Sequence, residues 1–141
     1  MTSETLTPLG IDISKATFHV AVLSSGNKAK SHSFSNDKSG FQQLQDWLQQ
    51  QQVERVHGGL EATSIYGHPL AIYLYQQGHR VSIVNPLQVK GYAQSQLTRT
   101  KTDRADAKLI AQFCRDLRPA AWHPSEAEVQ ELQAYTRRLD A

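Results

Sequence analysis

Residues 9–23 read LGIDISKATFHVAVL. Leu9 to Asp12 is a short apolar run that ends in an acid, and Thr17 to Leu23 alternates and is rich in β-branched and aromatic residues. Both patterns predict strands. Ser24-Ser-Gly-Asn27 is a turn signal, and Lys28 to Phe34 reads as a third, more polar strand with one exposed face. The chain therefore opens on a three-strand antiparallel meander. Beyond it, Asn36 to Ser39 supplies turn and cap residues, and Phe41, Leu44, Trp47 and Leu48 follow at helical spacing, predicting a helix to about Gln52. The glutamine run at its tail reads as a solvated helix end.

From there strands and helices alternate. Val53 to Leu60, closing on Glu61, is predicted as a strand, Ile65 to Gln77 as a helix, and His79 to Val84 as a strand. Pro69 is awkward inside the helix unless it starts at His68, and Gly78 is its stop signal. Asn85-Pro86 turns the chain into a weak helix to about Leu97. Thr98 to Thr102 is a polar, basic loop, and Asp103 to Leu117 is a helix with Ala107, Ile110, Ala111 and Cys114 on one face, ended by Arg118-Pro119. The order βββ-α-β-α-β-α-α predicts an α/β fold whose sheet is mixed, because the antiparallel start is followed by parallel pairing. This is the layout of the ribonuclease-H-like fold. A capping pattern at Ser125-Glu-Ala-Glu128 then opens a last helix, with Val129, Leu132 and Leu139 at heptad-like spacing and no stop signal before Ala141.

At 141 residues the chain has the size of one domain. Hydrophobic residues make up 39% and charged residues 20%, which excludes wholesale disorder. The single cysteine, Cys114, excludes an internal disulfide and a Cys-based zinc site. No apolar run approaches a membrane span, and the first residues lack a signal-peptide pattern, so a soluble cytoplasmic protein is expected. The formal charge of +2 hides an asymmetry: residues 80–118 carry 8 Lys/Arg against 3 Asp/Glu, whereas residues 1–79 carry 5 against 6. A basic middle segment suggests a polyanion, although charge alone favours a solvated basic face.

Four acids stand out. Asp12, preceded by Gly10-Ile11, ends a buried strand, where a carboxylate is costly unless paired or bound to metal. Glu61 ends a second apolar strand, at the edge of an α/β sheet where sites form. Asp103 and Asp106 are spaced i, i+3 and share one helix face. Each has a plain alternative: a turn residue for Asp12, a helix cap or first-turn residue for the others. Together they describe a carboxylate cluster that needs divalent cations, and oxygen donors suit Mg²⁺ or Mn²⁺. Two such ions support in-line phosphoryl transfer. Arg99, Lys101 and Arg104 lie beside the acids in sequence and suit a nucleic-acid backbone, as do Lys15 and Lys90. Lys15 reads equally as a turn lysine. His57, His68 and His79 are scattered without ligand spacing, Trp47 reads as core, Tyr92 as packed or base-stacking, and Cys114 as buried and inert.

The blocks GIDISK around Asp12, LEATSIYGHPLAIYL around Glu61, Val84-Asn-Pro86, and RTKTDRADAK over residues 99–108 occur in an order that resembles the N-terminal domain of DEDD-type insertion-sequence transposases. These form the insertion sequence 110 family, related to the Piv site-specific invertases. The TDRADA block is the most specific part, and Ser64 stands where the family often has glycine. The resemblance implies a RuvC-like catalytic domain over residues 8–118, with Asp12, Glu61, Asp103 and Asp106 as catalytic and metal-binding acids. It implies that residues 125–141 begin a coiled coil, and that a second, C-terminal domain with a strand-exchange serine is missing. It further implies DNA as partner, in some members a non-coding RNA that selects the target, a homo-oligomer in the active complex, and a place at the bacterial nucleoid. Two readings compete: a RuvC-like junction nuclease, and a nucleic-acid-binding module whose acids are only caps. A sugar-kinase or actin-like domain shares the fold, but the second Asp-x-Gly turn and the Gly-rich adenosine loop it needs are absent.

Overall fold

The computed structural model describes residues 6–25, 28–61, 65–95 and 103–125; for Ser25 and residues 103–106 it describes the backbone alone. Five strands form one sheet: β1 (Thr7–Ile13), β2 (Thr17–Ser25), β3 (Lys28–Ser35), β4 (Val56–Glu61) and β5 (Arg80–Val84), in the order β3-β2-β1-β4-β5. β1 pairs antiparallel with β2 and parallel with β4, and β4 pairs parallel with β5. The helices are α1 (Lys38–Gln50), α2 (His68–Gln76, entered through a 3₁₀ turn at Ile65–Gly67), α3 (Pro86–Ser95) and α4 (Asp103–Leu117). This is the mixed α/β architecture predicted from the sequence. The expected last helix, over 125–141, lies outside the described residues apart from Ser125.

Alternation along the strands divides the sheet into two faces. One carries Leu9, Ile11, Phe18, Val20 and Val22, fully buried with Leu44 and Leu48 of α1 and Leu70 and Leu74 of α2. Each such side chain contributes about 1.5–3 kcal/mol on burial. Trp47, predicted as core, is only half-buried and packs against the rim of this cluster, edge-on to Phe34. The other face is lined by small residues, and α4 lies on it. A Cβ on Gly10 would fall 1.7 Å from the Ala107 carbonyl oxygen, so no other residue fits under the helix without displacing it.

Two local boundaries differ from expectation, and a third, at Pro69, is where the proline requires it. α1 is capped by the Asp37 carboxylate, which accepts from the Gly40 N–H at 2.8 Å, and it ends at Gln50, two residues early. Gln52 then takes φ +61°, a left-handed conformation usually left to Gly or Asn. Val53, expected to start a strand, instead donates its N–H to the Leu48 carbonyl and buries itself under the helix end. Pro69 stands in the first turn of α2, where its missing N–H has no intrahelical partner to lose.

Candidate functional site

The parallel β1–β4 register runs from Thr7↔Val56 to Ile11↔Leu60. One residue further, the same register sets Asp12 beside Glu61, on strands about 4.8 Å apart. Both side chains point to the α4 face. Gly10, two residues before Asp12, meets Ala107 and Ala111, and Gly59, two before Glu61, meets Ile110 and Cys114. Both acids are half-buried, and both have interaction partners.

The direction of α4 follows from what comes after it. The Ser82 hydroxyl reaches the carbonyls of Ala120 (2.7 Å) and Pro119 (3.2 Å), and the Trp122 N–H donates to the Val81 carbonyl (2.7 Å). The carboxyl end of α4 therefore lies toward the amino ends of the strands. Its first turn, Asp103 to Asp106, lies toward the carboxyl ends, where Asp12 and Glu61 stand. A helix amino end carries a partial positive charge and favours anionic groups before it. The side chains of Asp103, Arg104 and Asp106 lie outside the described residues, as do Arg99 and Lys101. Lys15 is exposed in the tight β1–β2 turn, where Ser14 and Thr17 bond each other, and Lys90 is exposed on α3. Among the described residues no group of three or more His, Cys, Asp or Glu side chains comes together to hold a metal.

Two residues at this edge escaped the sequence reading. His19 is the antiparallel partner of Asp12, half-buried on the same face, with a Cβ separation of about 4.5–5.5 Å for such a pair. Counting back through the hairpin from Ile13↔Phe18 would have found it. Asn36, read as a turn residue, donates through Nδ2 to the Ser14 carbonyl (3.1 Å) and the Tyr66 carbonyl (2.9 Å). It ties the turn after β1 to the 3₁₀ turn before α2, and no local pattern announces a bond that spans 30 residues. Exposed apolar residues flank the same edge: Ile65 and Tyr66 after β4, and Leu87 after β5.

The remaining candidates resolve as packing. His57 and His79 are buried. Burial first, and the nearby Arg80 second, push His57 down to about 4, so it is neutral. Ser82 gives its one proton to a carbonyl, so His57 Nε2 donates to Ser82 Oγ at 2.6 Å. Tyr92 is buried edge-on to Phe113, and its hydroxyl donates to Asp116. Burial and that carboxylate push the phenol up to about 12. Cys114 is buried, with its thiol pushed up to about 12, which is the inert state expected.

A family model described as Transposase, of the DEDD insertion sequence 110 type, matches residues 9–141. The chain belongs to this transposase family. The pilin gene-inverting proteins of Moraxella bovis and Moraxella lacunata are each 36% identical to it over 136 residues, covering 95% of this chain and 42% of theirs. The chain thus spans about two fifths of the length of these curated relatives. Thermus thermophilus RuvC, solved in complex with a Holliday junction substrate, superposes with a TM-score of 0.58 at 13% identity, covering 84% of this chain and 100% of that one. A second Thermus thermophilus RuvC structure gives 0.52 at 15% identity, over 82% of this chain and 99% of that one. At these identities the likeness shows the fold, which is ribonuclease-H-like, of the RuvC kind. No helix of the described residues is long and apolar enough to cross a membrane.

Proposed function

We propose that this chain is the divalent-metal-dependent catalytic domain of a DNA transposase or recombinase, acting on DNA phosphodiesters in the bacterial cytoplasm. The observation that carries the reading is the Asp12–Glu61 neighbourhood at the carboxyl edge of the sheet, facing the amino end of a helix that begins Asp103-Arg-Ala-Asp106. The donor chemistry fits: two carboxylates on adjacent strands repel each other, and a hard cation that prefers oxygen relieves the repulsion. Asp12, Glu61, Asp103 and Asp106 would hold Mg²⁺ or Mn²⁺. When bound, such ions supply polarisation of the phosphoryl oxygens and acidification of the attacking water or hydroxyl.

The protein's own residues do the rest. The α4 dipole supports negative charge at its amino end. Lys15, Lys90, Arg99, Lys101 and Arg104 neutralise the phosphates on either side of the scissile bond. Asn36 ties together Ser14 and Tyr66, which follow the two acid-bearing strands. Residues 8–118 form the catalytic unit, and residues from 125 begin a coiled coil that leads to the rest of the protein. Full activity calls for that remainder, for a homo-oligomer and, if target choice is guided, for a non-coding RNA. The gene inversion in the relatives' names and the Holliday junction bound by RuvC both support DNA as the substrate class.

The test is a calorimetric titration of the chain with Mg²⁺ and with Mn²⁺, beside Asp12→Asn combined with Asp106→Asn. Saturable binding that disappears in the double variant is expected. Equal behaviour of the two proteins would remove the metal site from this chain and leave the acids as helix and turn caps.

A further inference from the structure

A cleft of about 560 Å³ opens at the other end of the sheet, at the amino ends of β1, β4 and β5. Its walls are the chain before β4 and β5, the end of α2, and residues 121–123, which the Trp122–Val81 bond holds against the edge of β5. From Arg55 to Glu61 is six residues of extended chain, so the cleft lies about 20 Å from the acid pair.

We propose that this cleft is a second nucleic-acid contact, which takes an unpaired nucleotide with its phosphate toward Arg55 and Arg80 and its base against Tyr75. The proposal takes nucleic acid as the partner class from the reading above, but it needs no divalent ion and no catalytic acid.

Three observations support it. The charge in the cleft is of one sign: Arg55 and Arg80 line it, and no acidic residue does among the described residues. His79, also in the wall, adds no charge. Its Nδ1 accepts from the Val56 N–H (3.1 Å), its Nε2 donates to Gln45 Oε1 (3.0 Å), and burial lowers its pKa. The Arg55 guanidinium is held in place, its Nε–H donating to the Gly78 carbonyl at 2.8 Å, so it meets an anion already oriented. Flat apolar surface stands beside these cations. Tyr75 is 38% exposed and edge-on to His123, at 5.8 Å between ring centroids, and Trp122 also lines the cleft. Arginines beside an open aromatic ring match a phosphate joined to a base, and duplex bases are already stacked on each other, which selects an unpaired strand. The volume falls in the range of about 300–1,000 Å³ usual for small-ligand pockets.

The test is fluorescence anisotropy of a labelled oligothymidylate 12-mer with the 141-residue chain in EDTA, across a salt series. Binding is expected, weakened about tenfold in Tyr75→Ala, from the usual contribution of one stacked base. Tyr75→Phe, which keeps the ring, should bind as the wild type does. Arg80→Ala should lower the slope of log K against log salt by about 0.7, the value for one phosphate on a single strand. In a Trp47→Phe background the remaining Trp122 fluorescence should respond to the oligonucleotide. Failure of the wild type to bind overturns the proposal, as do unchanged affinity in Tyr75→Ala and unchanged slope in Arg80→Ala. Polyglutamate that competes as well as the oligonucleotide at equal charge would also overturn it, and would assign the cleft to an acidic protein segment. None of these outcomes depends on the metal titration, so the two readings fail separately.

Discussion

Replacing Gly10 with alanine adds one methyl group at the place where α4 crosses the central strand. The new Cβ would lie 1.7 Å from the Ala107 carbonyl oxygen and 2.5 Å from the Ala111 nitrogen. Ordinary contact begins near 3.4 Å, so helix and strand must part locally by roughly 1.5 Å. Neither atom can swing away, because both belong to the helix backbone. Overpacking a core costs typically about 1–3 kcal/mol, and a clash against backbone on the central strand belongs at or above the upper end. The gain from replacing glycine by alanine in the unfolded chain returns less than about 1 kcal/mol. The net expectation is a loss of about 3 kcal/mol, from a total that for such domains is about 5–15 kcal/mol. Urea unfolding followed by circular dichroism measures it. Gly91→Ala is the control: a Cβ there meets nothing within 4 Å and the residue sits in α3, so the same chemical change should stabilise by about 0.5–1 kcal/mol. If Gly10→Ala lost less than about 0.5 kcal/mol, or if both variants moved in the same direction, the close approach of α4 to β1 would be wrong. So would the placement of its first turn at Asp12. The Mg²⁺ and Mn²⁺ titration of Gly10→Ala should show weakened binding for the same reason.

Two further expectations concern the same layer. A Cβ on Gly59 would fall 2.4 Å from Cys114 Sγ and 3.1 Å from Ile110 Cγ2, which are side-chain atoms. Gly59→Ala should therefore destabilise by about 1–2 kcal/mol, and Cys114→Ala in the same chain should recover much of that loss; additive losses would refute the pairing. His57 has a folded pKa near 4, below the usual 6.5, so the unfolded chain takes up its proton first. Its contribution is complete above pH 6.5 and is lost as pH falls toward 4, up to about 3 kcal/mol by the size of that shift. His57→Gln should flatten the fall in urea midpoint between pH 7 and 4.5, and an unchanged fall would contradict a buried neutral imidazole.

Much of the architecture was legible because it depends on local pattern. The alternation of Thr17 to Leu23 and the helical spacing of Phe41, Leu44 and Leu48 appear where expected. The misreadings arose where burial has another cause. Val53 is apolar because it covers a helix end, not because it is in a strand. The site was half legible. Its two strand-end acids follow from the apolar runs that they terminate, whereas His19 needs the hairpin register and Asn36 a tertiary bond. The bonds from Ser82 to residues 119 and 120 were out of reach, since Pro119 reads only as a helix stop.

The β1–β4 register also has a kinetic side. The β1–β2 and β2–β3 hairpins close through turns of a few residues, but bringing Asp12 beside Glu61 closes a loop of about fifty residues, with its larger entropic toll. Electrostatic repulsion between the two carboxylates is accordingly felt only after most of the sheet has been paid for in chain entropy. A change that relieves it, by protonation or by a bound cation, should then act chiefly on the rate at which the molecule comes apart and hardly on the rate at which it forms.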